Sequence, residues 1–366
     1  MKIEELDSNF KANEIGDKPV VFLDVLKAPF SVEGLPWPSR RDMKWPFARI
    51  PPTLTTEEVN ACALDEGWHM TPGATVRFRS DSPYIAIRAE LFHSCDMNHM
   101  PRAGSAGFDL YMGPFAESRH FGTAQPSRDE VNLERMLYER DADDVAMEEW
   151  TVNLPLYGGV SSIAIGLAPG SSVEPPPPHR TGKILFYGSS ITQGGCASRP
   201  GNMYPSLLCR AVDAEQVNMG FSGSARGEIA MARAIAELGL AAFVYDYDCN
   251  APSPEHLWKT HEPFFRLIRD KHPELPVLIL SRCDIWPDRK ASRYRRDCKR
   301  REAIRATYDH AIEAGDRHVY FIDGETLFGT SHRDACTVDQ THPNDLGFYR
   351  MFETVLPVLQ KALEEA

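Results

Sequence analysis

Two rhythms of apolar and polar residues divide the chain. Between residues 30 and 170 the rhythm is that of strands. Segments 74–79 (ATVRFR) and 84–91 (YIAIRAEL) alternate apolar and polar positions, so each can bury one face and expose the other. The SDSP between them, residues 80–83, has turn composition. Segments 107–112 (GFDLYM), 147–154 and 161–167 (SSIAIGL) predict further strands. Few long helical patterns interrupt them, which predicts an antiparallel β-sandwich.

From residue 183 onward, short apolar runs alternate with helix-period segments. Strands are predicted at 184–187, 216–219, 242–247, 277–281 and 318–322. Helices are predicted near 203–214, 226–238, 254–271, 290–314 and 345–364. Strand–helix repetition with short loops predicts a parallel sheet covered on both faces, an α/β fold. Segment 174–182 (EPPPPHRTG) separates the two rhythms. Four consecutive prolines favour an extended chain and cannot continue a helix or a central strand, so it reads as a semi-rigid linker. The expected organisation is 1–173, linker 174–182, and 183–366.

Candidate chemistry gathers in the second part. In 183–192 (KILFYGSSIT) an apolar run stops at Gly188 and two serines follow. A buried strand that ends in a Gly-Ser turn presents a hydroxyl at the carboxyl end of a sheet, where open α/β folds bind ligands. Three more pieces follow in order: 218–223 (NMGFSG), 246–250 (DYDCN) and 339–343 (DQTHP). Together they supply a nucleophile, a base, an acid to orient the base, and oxyanion donors, the parts needed for acyl transfer.

On these residues the chain resembles the SGNH (GDSL-type) hydrolases. GSSI matches the first block with Ser190 at the nucleophile position. Gly223 matches the glycine of the second block, Asn250 the asparagine of the third, and Asp339 and His342 the Asp-x-x-His of the last. The usual acidic residue before the nucleophile is Ser189 here. The resemblance implies a three-layer, flavodoxin-like parallel sheet. Upstream, Gly107-Phe-Asp-Leu-Tyr111 is similar to the Gly-x-Asp-Leu-Tyr signature of a β-rich, jelly-roll-like domain found in front of some of these enzymes. Leu154-Pro-Leu-Tyr-Gly-Gly159 and the run from Asp246 to Pro252 look like the same subgroup. Many of its members are thought to be carbohydrate esterases, so the resemblance implies a sugar ester.

The implied roles follow. Ser190 is the nucleophile, His342 the general base and then the acid, and Asp339 the residue that fixes the ring. The Ser190 and Gly223 backbone N–H groups and the Asn250 amide hold the oxyanion, with Gly223 small so that the backbone can approach substrate. Gly220 competes for that glycine role. Ser189, Ile191, Cys196, Tyr111 and His99 are pocket candidates, and Trp37 and Trp68 are further aromatics for stacking on a sugar. The stretch 97–107 is placed over the site.

This reading is a serine esterase acting on small acyl, above all acetyl, esters of a carbohydrate. It needs no metal or cofactor. The alternatives are a thioesterase or lysophospholipase on the same triad, or a non-catalytic glycan-binding protein on a hydrolase fold.

Composition narrows the partners. The chain has 366 residues, enough for two ordinary cores, and a net charge of −12, which argues against nucleic acid as the main partner. Segment 289–305 carries nine basic residues and reads as a solvated helix face. No apolar run approaches the roughly 20 residues needed to cross a bilayer. The first ten residues are polar and acidic, so a cytoplasmic location is expected. Eight cysteines are scattered with no Cys-x-x-Cys pair, as in a reduced protein. His93, His99 and His120 near Cys95 and Asp96 do not have metal-motif spacing. Exposed sandwich edges make a homo-oligomer the natural expectation.

Overall fold

The computed structural model describes residues 13–37, 45–140, 145–285 and 287–366. The polar N-terminal ten residues therefore lie outside the described residues. The first half contains β1 (Asn13–Ile15), β2 (Lys18–Asp24), β3 (Ser31–Glu33), α1 (Ala61–His69), β4 (Thr75–Ser80), β5 (Tyr84–Leu91), α2 (Arg102–Ser105), β6 (Phe108–Met112), β7 (Arg119–Ala124), β8 (Asn132–Glu139), β9 (Glu148–Asn153), β10 (Val160–Leu167) and β11 (Val173–Glu174).

These strands form two antiparallel sheets. One runs β1-β2-β10-β5-β8; the other runs β11-β4-β9-β6-β7, with β3 paired to β4. Strand alternation decides what each face meets. In β5, Ile85, Ile87 and Ala89 enter a core shared with Val76 and Phe78 of β4, Leu110 of β6 and Val152 of β9. Tyr84 and Ala86 point the other way, towards Val20 and Ala168. The two sheets thus pack face to face, the expected sandwich. The five strands anticipated from alternation are all present, within one residue at each end.

The second half contains β12 (Thr181–Gly188), α3 (Ser190–Gln193), α4 (Tyr204–Val212), β13 (Ala214–Gly220), α5 (Ile229–Ala236), β14 (Ala242–Asp246), α6 (Pro254–Lys271), β15 (Val277–Leu280), α7 (Ser292–Glu313), β16 (Val319–Ile322) and α8 (Asp345–Glu364). All its strand pairs are parallel, in the order β13-β12-β14-β15-β16. Counted within this half the order is 2-1-3-4-5, the flavodoxin order, whose switch point lies beside the first strand. Leu185, Tyr187 and Val217 pack on one face with residues of α5, α6 and α7. Ile184, Phe186 and Val244 pack on the other with residues of α4 and α8. The result is three layers. Among the described residues no helix is long and apolar enough to cross a membrane.

Two features bear on the expected organisation. Segment 174–182, read as a semi-rigid linker, is held in place along its length. Its start is strand β11 and its end is strand β12. The Pro177 carbonyl accepts from Arg77, and His179 sits between Glu33 at 2.8 Å and Asp213 at 2.9 Å. The packing does not divide there. Ile50, Leu54, Val59, Ala63 and Leu64 belong to the core of the parallel sheet, so part of the first half serves as a wall of the second.

Candidate active site

The site is built at the carboxyl ends of β12, β13 and β14, closed by the loop that enters α8. β12 ends at Gly188, and Ser189 turns the chain into α3 with extended dihedrals. The Ser189 hydroxyl accepts from the Ile191 N–H at 3.2 Å and so caps the helix. An aspartate would cap in the same way, so serine at this position keeps the local structure that an acid would give. The capping job falls to Ser189 and leaves the Ser190 hydroxyl available.

Ser190 Oγ lies 2.9 Å from His342 Nε2. His342 Nδ1 lies 2.7 Å from Asp339 Oδ2. Asp339 Oδ1 also accepts from the backbone N–H groups of Thr341 at 3.0 Å and His342 at 2.7 Å. The loop closes through the Val338 N–H on the His342 carbonyl, and the Asn344 side chain caps α8 through the Gly347 N–H. This bracing holds the ring in place although the Asp339 side chain is 38% exposed.

The proton positions follow from the acid. Partial burial disfavours the Asp339 carboxylate, but hydrogen bonds from the His342 backbone and ring, the charge of the ring and the Thr341 N–H outweigh it. They hold this carboxyl below the usual range. At neutral pH Asp339 is therefore an acceptor only. In the neutral ring His342 Nδ1 then carries the hydrogen, and Nε2 presents a lone pair to the Ser190 hydroxyl. That is the tautomer a general base needs.

The loops carrying Gly223 and Asn250 are joined. Asn250 Nδ2 donates to the Phe221 carbonyl at 2.6 Å, and the Phe221 N–H donates to the Gly188 carbonyl at 2.9 Å. One amide hydrogen of Asn250 is thereby used and the second remains for a ligand. Gly223 has φ +68°, and a Cβ added there would meet nothing within 4 Å. The left-handed backbone by itself calls for glycine, and the space beside its Cα is open. Gly220 is the crowded one, since a Cβ would lie 2.3 Å from the Gln193 N. It packs beneath α3, and its N–H donates to the Asn218 side-chain oxygen at 2.9 Å.

The pocket candidates separate. His99 is exposed and its ring centre is 5.6 Å from that of His342. Cys196 is buried, and its sulfur lies in the same group. Ser189 and Ile191 are almost fully buried, so neither offers a side chain to a ligand. Tyr111 is also buried, with its hydroxyl on Arg199 and the Arg210 guanidinium over its ring. It has no free face for a sugar. Trp68 stacks on Trp45 at 5.3 Å, and Trp37 packs on the core of the parallel sheet. A cavity of about 840 Å³ opens beside the His342 loop, lined by Arg282, Arg293, Tyr294, Arg333, Thr337 and Gln340 among others.

Several residues that shape the site were not among the site candidates read from the sequence. Glu66 of α1 accepts from the Ser222 N–H at 2.6 Å and the Ser224 hydroxyl at 3.2 Å, and so grips the Gly223 loop. Arg49 donates to the Asn218 carbonyl at 3.0 Å and lies over the Phe221 ring. Burial pushes Glu66 up to about 7 and Arg49 down to about 10, so desolvation outweighs their mutual attraction. Asp109, the acid of the GFDLY segment, is fully buried. It accepts from Arg199 at 2.9 Å, the Gly201 N–H at 2.9 Å and Asn153 at 2.7 Å. It thus anchors the loop that follows α3. Asp345 anchors the same loop through the Ser198 N–H.

The basic run 289–305 is not simply a solvated face. Arg300 is buried and donates to the Asp248 and Ala251 carbonyls, on either side of Asn250. Arg293 donates to the Gln340 carbonyl and the Thr341 hydroxyl. Two members of the run therefore tie down the two loops that carry Asn250 and His342.

Comparison with known proteins agrees with this architecture. Residues 181–360 match the model of the GDSL-like lipase/acylhydrolase family. Residues 20–173 match the N-terminus of the SGNH-hydrolase-type esterases, known as GxDLY. A crystal structure described as a GDSL-like lipase, from Bacteroides ovatus, is 26% identical over 95% of this chain and 99% of that one, with a TM-score of 0.83. The salicylyl-acyltransferase SsfX3 of a tetracycline biosynthetic pathway is 18% identical over 94% and 97%, with a TM-score of 0.73. A family two carbohydrate esterase from Clostridium thermocellum, in complex with cellohexaose, is 13% identical over 82% and 94%, with a TM-score of 0.58. The last two share the fold. No curated protein matches the chain.

Proposed function

Because the chain belongs to the SGNH (GDSL-type) hydrolases and carries a GxDLY N-terminal region, we propose that it is a serine esterase that removes small acyl groups, above all acetyl, from a carbohydrate. The observation that carries the reading is the continuous line Ser190 Oγ, His342 Nε2, His342 Nδ1, Asp339 Oδ2, with steps of 2.9 and 2.7 Å.

Ser190 Oγ attacks the acyl carbonyl carbon as its proton passes to His342 Nε2. Asp339 stabilises the imidazolium and stays ionised. The carbonyl oxygen, now an anion, takes hydrogen bonds from the Ser190 and Gly223 N–H groups and the second Asn250 amide hydrogen. His342 returns the proton to the sugar oxygen, which leaves as an alcohol. Water then repeats the sequence on the acyl-enzyme and releases the acid.

The charged side chains Arg282, Asp284, Arg293 and Arg333 in the cavity beside the His342 loop could hydrogen-bond a hydroxyl-rich leaving group. The test is acetate release from a panel of acetylated mono- and oligosaccharides with wild type and Ser190→Ala. The expected result is turnover that falls by orders of magnitude in the variant. Equal rates, or no turnover of any acyl ester, would overturn the reading. Faster hydrolysis of long-chain than of acetyl esters would overturn the acyl-size part alone.

A further inference from the structure

Three segments distant in sequence bring metal-binding atoms together at the mouth of the site. His99 precedes α2, Cys196 follows α3, and His342 precedes α8. One ligand atom from each lies within 4.8 Å of the others. The nitrogen that His342 can offer is fixed by its other bond. Nδ1 is held by Asp339 at 2.7 Å, so only Nε2 is open, and at present it accepts from Ser190 Oγ at 2.9 Å.

We propose that Cys196, His99 and His342 Nε2 form an inhibitory site for a thiophilic divalent cation, with Zn²⁺ as the best-matched ion. Zinc takes thiolate sulfur at about 2.3 Å and imidazole nitrogen at about 2.0–2.1 Å, so ligand atoms around one tetrahedral ion sit roughly 3.3–3.8 Å apart. Small side-chain rotations bring the three atoms to that spacing. His99 is on the exposed side. Cys196 belongs to a loop held by Asp109 and Asp345 through Arg199 and Ser198. One thiolate and two imidazoles suit zinc better than magnesium or calcium, which prefer oxygen. Asp339 on Nδ1 supplies the outer hydrogen bond that orients a metal-bound histidine.

The chemistry of binding balances through one proton. A cysteine thiol is ordinarily protonated at neutral pH, so the cation must displace its proton. The cation replaces the S–H proton, which passes to buffer, and a metal–thiolate bond forms. A second bond forms to the Nε2 lone pair. That lone pair is the one that would take the Ser190 proton, so a bound ion switches the base off. The inhibitory effect rests on the esterase reading; binding itself does not.

The experiment titrates ZnCl₂ into the full chain by calorimetry in two buffers of different ionisation enthalpy. Acetyl-ester hydrolysis is followed in parallel, each protein being compared with its own metal-free rate. One ion per chain should bind with release of about one proton. Activity should fall at least tenfold and return with EDTA. Cys196→Ser and the exposed His99→Asn should each weaken binding tenfold or more, and Ser190→Ala should still bind. If Cys196→Ser does not fold, as judged by thermal melting, His99→Asn decides. The absence of one-site binding, equal affinity in the folded variants, or activation by zinc would overturn the proposal. Variant-sensitive zinc binding by a chain that hydrolyses no ester would leave the site standing and remove the esterase reading. The reverse pattern would do the opposite.

Discussion

The parallel-sheet half holds every residue in the line from Ser190 to Asp339, and the antiparallel half holds none of them. Yet the loops that present this line are gripped from the antiparallel half. Glu66 holds the Gly223 loop, Arg49 holds the end of β13, and Asp109 holds the loop after α3. Chemistry and bracing thus come from different halves. A serine, a histidine and an aspartate can be recognised by short local patterns. The bracing role of Glu66, Arg49 and Asp109 is recognised only in three dimensions, even though Asp109 lies in a recognisable segment.

The comparison can be broken most forcefully at its chemical end. His342→Ala removes the base and should lower kcat by three orders of magnitude or more, with substrate affinity changed far less. A fall of less than tenfold would mean that the line is not the machinery.

Asp109→Asn tests the bracing end. It leaves the half-buried Arg199 guanidinium without its carboxylate and weakens the buried hydrogen bonds of Asp109, which costs about 1–3 kcal/mol. Urea unfolding should show that loss. Because the loop after α3 carries Cys196, kcat on acetyl esters should also fall, by about tenfold. Lost stability with unchanged kcat would reduce the first half to a passive wall.

The last expected effect is on pH. Glu66 has its folded value raised from the usual 4.5 to about 7 by burial. Its contribution to stability is therefore complete below about 4.5 and is lost as pH rises through about 7. Up to roughly 3 kcal/mol should disappear over that window, because the unfolded chain releases the proton first. Glu66→Gln should flatten the slope of unfolding free energy between pH 4.5 and 8. An unchanged slope would show that another group titrates there.

Much of the fold was legible because its signals are local. Four of the five parallel strands carry apolar runs, and α6 and α8 begin where Ser253 and Asn344 supply caps. The four blocks stood out because each lies at a strand end or a helix start. Other elements gave weak signals. β7 is exposed over most of its length, so it has no alternation to read. β2 contains Pro19, which reads as a breaker; the structure pairs that residue with β1 and leaves Val21–Asp24 for β10. α1 buries Glu66 and Gly67 against the other half, which erases the apolar stripe expected of a helix.

At the site the same limit applies. His342 and Asp339 are three residues apart and were readable together. Cys196 and His99 approach His342 across about a hundred residues or more of chain, so no spacing rule could join them. Within the basic run, Arg300 looks like its solvated neighbours until the fold turns it towards the Asn250 loop.

The most direct test of the central claim is labelling with a serine-directed fluorophosphonate, followed by intact mass and peptide mapping. One adduct on Ser190 of the wild type, formed far more slowly in His342→Ala and absent from Ser190→Ala, is the predicted result. An adduct on another residue, or labelling that persists in Ser190→Ala, would contradict the assignment of Ser190 as the activated nucleophile.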